Sequence, residues 1–197
     1  MSKVLVPLAT GCEEVEAVTI IDLLRRAGIE VVTAGLEATA QVVRASRGTL
    51  LLPDMSLDQA LHQEYDMVAL PGGQPGADNL NADQRIHTLL AHMAKDEKYI
   101  AAICAAPKVL AKAGLLEGRR ATSFPGSLSQ EQLQNMRYEE SAVVQDGNIF
   151  TSRGPGTAMD FALTLIETLA GKAKRDEVEK GLVRPQHYGH SVASTRP

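Results

Sequence analysis

Continuous apolar runs alternate with helical periods along most of this chain. Lys3–Leu8 is apolar enough for a strand covered on both faces, and Ile29–Leu36, Tyr65–Gly73 and Tyr99–Ile103 repeat the pattern. Arg47–Pro53 suggests a shorter strand, and residues 148–157 a last strand and loop. Between these runs, Glu13–Ala27 carries apolar residues at helical spacing, with Gly28 where a C-terminal cap belongs. Asp83–Lys95, Ala105–Ala113 (closed by Gly114), Ala158–Ala170 and Lys172–Gly181 are further predicted helices. Apolar strands alternating with helices predict an α/β fold with a mainly parallel sheet covered on both faces. No linker or change of composition divides the chain, so residues 1–183 are read as a single domain. Residues 184–197 show no period and are expected to form a flexible tail, in which QHYGH is read as loose terminus rather than a metal site.

Composition narrows the function classes. Aromatic residues are only 4% and Trp is absent, so the core must be built from Leu, Val, Ile and Ala. A net charge of −4 argues against nonspecific nucleic-acid binding. No apolar run reaches the ~18 residues of a membrane span. The N-terminus reads as a first strand rather than a secretory signal. Without such a signal, Cys12 and Cys104 are expected as free thiols in a reducing, cytoplasmic setting. The cysteines and histidines lack metal-ligand spacing, so no metal is expected.

In open α/β sheets ligands bind beyond the carboxyl ends of the strands, and three features fall there. Cys104 lies between the strand YIAAI and a helix beginning near Pro107. A sulfur there meets unpaired N–H groups and the positive end of the helix dipole, both of which favour a nucleophilic thiolate. A pKa well below the ~8.5 of a free thiol is then expected; the other reading is a small buried structural cysteine. On a 100° helical projection Glu16 falls inside the apolar arc of Glu13–Ala27, between Leu23 and Ala27. Desolvation there would raise its pKa and suit it to proton transfer; alternatively it reaches water at the helix start. Gly72-Gly73, after MVALP, offers either N–H donors for an oxyanion or a plain tight turn. Cys12, in the loop after the first strand, is expected as a semi-exposed structural thiol.

Several segments together carry a resemblance: EEVEAVTIIDLLRRAGIEVVTAGL (13–36), SRGTLLLPD (46–54), YDMVALPGGQPGADNL (65–80), IAAICAAPKVLAKAGLL (100–116) and TSRGPGTAMDFALTLIETLAGK (151–172). The chain resembles the ThiJ/PfpI superfamily, in the branch of Parkinson disease protein 7 and its bacterial YajL-type relatives. The resemblance implies a flavodoxin-like three-layer sandwich and a homodimer. It implies Cys104 as the reactive cysteine, Glu16 as its protonated partner, and Gly72, Gly73 and Ala105 as backbone donors. Arg47, Arg26 from the dimer partner, Phe124, Gly154 and Pro155 match residues around the same pocket. Phe124 stands where some relatives carry a His, and Ala105 follows the cysteine where protease-like relatives carry one, so peptidase activity is not expected. The implied activity is cofactor-free conversion of 2-oxoaldehydes such as methylglyoxal or glyoxal, or their early adducts with amino groups and thiols, to 2-hydroxy acids. The alternative is an oxidative-stress-responsive chaperone or redox sensor using the same cysteine.

Overall fold

Alternate residues of the first strand point into two different cores, and the fold is built outward from that strand. A computed structural model describes residues 1–39 and 41–184. In order, its elements are β1 (Lys3–Leu8), α1 (Glu14–Arg26), β2 (Glu30–Gly35), β3 (Val43–Arg44), β4 (Leu50–Leu51), β5 (Met55–Ser56), α2 (Leu57–Ala60), β6 (Met67–Leu70), α3 (Gln74–Ala82), α4 (Gln84–Lys95) and β7 (Tyr99–Ile103). There follow α5 (Pro107–Lys112), β8 (Arg120–Ala121), α6 (Gln130–Gln134), β9 (Arg137–Tyr138), β10 (Val143–Asp146), β11 (Ile149–Ser152), a single 3-10 turn (Pro155–Thr157), α7 (Ala158–Ala170) and α8 (Lys172–Gly181).

Seven strands form the central sheet in the order β10-β11-β7-β6-β1-β2-β5, all parallel except β10, which runs antiparallel at one edge. Val4, Val6 and Leu8 face the layer of α1 and α7 with Met67, Ala69, Ala101 and Ile103. Leu5, Val68, Leu70, Ile100 and Ala102 face the opposite layer, against Leu57, Leu80, Ile86, Leu90 and Leu110. Burial on both faces explains the unbroken apolar runs. The result is the flavodoxin-like three-layer sandwich, with the carboxyl ends of β1, β6 and β7 side by side.

Four points differ from these expectations. The Arg47–Pro53 strand shrinks to Leu50–Leu51, paired with β3 in a small ladder outside the main sheet. Helix α3 was not evident from periodicity, because its buried side is only Gly76, Ala77 and Leu80. Cys12 is 1% exposed rather than semi-exposed, because Gly76 of α3 packs directly on its backbone. Arg184, placed in the expected tail, is held by Asp160 at 2.7 Å and Glu179 at 3.2 Å, so the chain is anchored one residue further. The rest of that segment, with QHYGH, lies outside the described residues.

Candidate active site

The strand β7 ends at Ile103, and the chain must turn at once to enter α5. Cys104 makes that turn in the left-handed region, with φ of +63°, a conformation that costs a non-glycine residue ~1–3 kcal/mol. Neighbours on both sides enforce it. The Cys104 N–H donates to Ser152 O at 2.9 Å, and its carbonyl accepts from Phe124 N–H at 2.8 Å. The side chain is thereby pushed out at the carboxyl edge of the sheet, 8% exposed, with the N–H groups of Gly73 and Ala105 directed at the sulfur.

Glu16 reaches the same point from the first turns of α1 and has no exposed surface. Its Oε2 accepts the Gly72 N–H at 2.8 Å. Its Oε1 is buried without a hydrogen-bond partner among the described residues. With one oxygen held by a donor and the other unpartnered, and with its pKa near neutrality, the carboxyl can take a proton from the thiol or give one to a substrate. A Cβ on Gly72 would lie 2.6 Å from Cys104 Cβ and 2.8 Å from Glu16 Oε2. Only glycine lets the three groups meet.

Burial raises the Glu16 carboxyl to about 7, and the Glu13 charge adds to it, against hydrogen bonds from Cys104 and Gly72. Burial also pushes the Cys104 thiol up to about 12, followed by the charge of ionised Glu16, while the N–H groups of Gly73 and Ala105 pull the other way. The expectation of a thiol well below a free one is therefore corrected. Helix α5 has only six residues, and its end and two N–H groups do not outweigh desolvation. The part of the rise due to Glu16 exists only while Glu16 is ionised, so a proton passed from sulfur to carboxylate removes that repulsion.

The structure brings Cys104, Glu16, Gly72, Gly73 and Ala105 together. Gly72 directs its N–H to Glu16 rather than to the sulfur. Phe124 is half exposed beside the elbow, and its ring lies against Gly154, where an added Cβ would be 3.3 Å away. Pro155 follows on the surface as the first residue of the 3-10 turn. Arg47 is exposed on the loop joining β3 to β4. Arg26 does not enter this chain's own pocket: it lies in the last turn of α1, paired with Asp22 at 2.6 Å, ~15 Å along the helix from Glu16. Sequence reasoning missed Glu14, whose carboxylate binds the Arg47 loop. Its only signal was a second acid in the first turn of α1. Among the described residues no cluster of His, Cys, Asp or Glu is placed to hold a metal ion, and no helix is long and apolar enough to cross a membrane.

Protein dj-1beta of Drosophila melanogaster is 47% identical over 185 residues, which cover 93% of this chain and 98% of that protein. A crystal structure of Drosophila melanogaster DJ-1beta superposes with a TM-score of 0.88 at 46% identity, covering 94% of this chain and all of the other. The Parkinson disease protein 7 homolog of Danio rerio is 42% identical over 183 residues, 92% of this chain and 96% of that one. A Caenorhabditis elegans relative named glutathione-independent glyoxalase DJR-1.2 is 34% identical over 170 residues, covering 86% and 89% of the two chains. With residues 2–168 matching the DJ-1/PfpI family, the chain belongs to that family.

Proposed function

We propose that the protein is a cofactor-independent enzyme of the glyoxalase and deglycase type. It would convert 2-oxoaldehydes such as methylglyoxal, free or as early adducts with amino groups and thiols, into 2-hydroxy acids. The observation that carries this reading is the buried Glu16 carboxyl beside Cys104 on its elbow, with Gly73 and Ala105 N–H groups at the sulfur. The glyoxalase name of the nematode relative supports the substrate class.

The high thiol pKa shapes the first step. Ionised Glu16 takes the thiol proton as sulfur bonds to the aldehyde carbon, so no standing thiolate is required. The Gly73 and Ala105 N–H groups are the nearest donors for the oxyanion, which takes the proton back to complete a hemithioacetal. Glu16 then removes the proton from the former aldehyde carbon and delivers it to the neighbouring carbonyl carbon, while the hydroxyl proton of the hemithioacetal passes to the neighbouring oxygen. The first carbon is oxidised to a thioester and the second reduced to an alcohol, so no outside electrons are needed. Water cleaves the thioester, releasing the 2-hydroxy acid and restoring the thiol. Both cysteines are free, which suits a reducing compartment such as the cytoplasm.

The reading includes a homodimer. Val15 and Val18 of α1 and Met159 of α7 are about half exposed, and Val15 and Met159 border a hollow of about 350 Å³ with Pro155. Apolar surface beside the site supports burial by a second copy. The chemistry is tested by measuring lactate from methylglyoxal. Turnover by the wild type that is lost, by at least ~100-fold, in both Cys104→Ser and Glu16→Gln is the expected result. No turnover by the wild type overturns the enzyme reading and leaves the redox sensor.

A further inference from the structure

Thr157 stands at the N-cap of α7, where a threonine hydroxyl ordinarily accepts an N–H of the helix it opens. This hydroxyl makes no such cap. It turns back toward β11 instead. Thr157 Oγ1 lies 2.7 Å from Ser152 Oγ, accepts the Gly154 N–H at 3.1 Å and lies 2.9 Å from Gly154 O. Ser152 Oγ donates its own proton to Ala142 O at 2.7 Å. Gly154 O already accepts the Thr157 N–H at 2.9 Å, which leaves the Thr157 hydroxyl proton for Ser152 Oγ. Ser152 has no exposed surface, and its carbonyl is the acceptor of the Cys104 N–H at 2.9 Å. On the other side, Cys104 O accepts the Phe124 N–H, and the Phe124 ring lies on Gly154. Cys104, Ser152, Thr157, Gly154 and Phe124 therefore form a closed ring of contacts around the elbow. A further bond, Thr122 N–H to Thr151 Oγ1 at 2.9 Å, fastens the segment before Phe124 to β11. A left-handed cysteine persists only where its surroundings over-determine it, and this ring is what surrounds Cys104.

We propose that Thr157 is a positioning residue: its hydroxyl, acting through Ser152, holds Cys104 in its left-handed turn and so fixes where the sulfur points. Its importance rests on the reading of Cys104 as the reacting residue, but its test does not use turnover. Amide hydrogen exchange is followed by NMR in the full-length, isotope-labelled chain. The Cys104 and Phe124 amides report the ring, and the Leu5 and Val6 amides of the central strand β1 report the fold as a whole. Thr157→Val keeps the shape of the side chain and removes the hydroxyl. It is expected to speed exchange at Cys104 and Phe124 about fivefold relative to Leu5 and Val6, the size of one net hydrogen bond. Thr157→Ser keeps the hydroxyl and is expected to stay within about twofold of the wild type.

A threonine that merely shapes the start of α7 gives a different pattern, in which all amides speed alike or only those of the first turn of α7 respond. Either pattern in Thr157→Val overturns the proposal. So does a selective rise of the same size in Thr157→Ser, because the hydroxyl is still there. If Thr157→Val fails to fold, Ser152→Ala decides, since it removes the other hydroxyl of the pair. A selective rise at Cys104 and Phe124 then supports positioning, and its absence overturns it. Where both single variants fold, the double variant is expected to rise no further than either one, and a second full rise overturns the link through Ser152. Absent lactate with the selective exchange intact would remove the proposed activity and leave the role of Thr157 standing. Lactate with unselective exchange would do the reverse.

Discussion

A carboxyl group with no exposed surface makes the folded state sensitive to its proton. For Glu16 the ordinary pKa of 4.5 rises to about 7 on burial. Below 4.5 the group is protonated in both folded and unfolded chains and shifts nothing. Between 4.5 and 7 the unfolded chain releases the proton first, so rising pH favours unfolding. Above 7 the full cost is present, about 3 kcal/mol from a shift of that size. Glu14, at about 2, and Cys104, at about 12, titrate outside this window. Denaturant unfolding at pH 4.5 and pH 8 should therefore show the wild type losing about 3 kcal/mol relative to Glu16→Gln. A pH-independent difference between the two would mean that folding does not raise the Glu16 pKa. The helical period sufficed to aim Glu16 inward, because the arc between Leu23 and Ala27 is set by local geometry. The ionisation of Cys104 was not legible, because it depends on what α1 and the Gly72 turn bury around the sulfur.

At the scale of elements, the site depends on backbones that approach without side chains between them. Helix α3 lies against the loop after β1, and a Cβ on its Gly76 would stand 2.5 Å from Cys12 Cα and from Cys12 N. Backbone cannot yield as a flexible side chain does, so Gly76→Ala must push α3 away from the loop. Overpacking of this kind costs about 1–3 kcal/mol, and the loop it displaces leads directly into α1 and Glu16. Chemical denaturation should show that loss for Gly76→Ala. A stability within ~0.5 kcal/mol of wild type would mean that the helix and loop are not in register as described. The same close approach explains why α3 escaped the sequence reading. Its contact is made by glycine and alanine, which carry no apolar period, whereas α1, α4 and α7 announce themselves through Leu and Ile. The two-residue strands β3 and β5 were likewise too short for a period, and β10 was hidden because its antiparallel pairing at a sheet edge buries few of its side chains.

The whole molecule presents one face that its own core does not explain. Along α1, Val15, Val18, Asp22 and Arg26 recur at three- and four-residue steps and form a single exposed stripe. Val15 and Val18, with Met159 of α7 nearby, place apolar side chains at about half exposure on the layer that also carries Glu16. If a second copy covers this stripe, the salt-bridged end at Asp22 and Arg26 lies at its edge, and Arg26 approaches the partner's site rather than its own. A glutamate introduced at the centre would then lose its water without gaining a partner. A cost of about 4 kcal/mol weakens association roughly a thousandfold. Sedimentation of the wild type at micromolar concentration should give twice the 21.1 kDa of one chain, and Val18→Glu should give a single chain. Both substituted positions are surface positions in one copy, so the fold should survive, as unchanged far-UV circular dichroism of Val18→Glu and Met159→Glu would show. A monomeric wild type, or a Val18→Glu variant that remains fully paired, would place the contact between copies elsewhere and return Arg26 to a plain partner of Asp22.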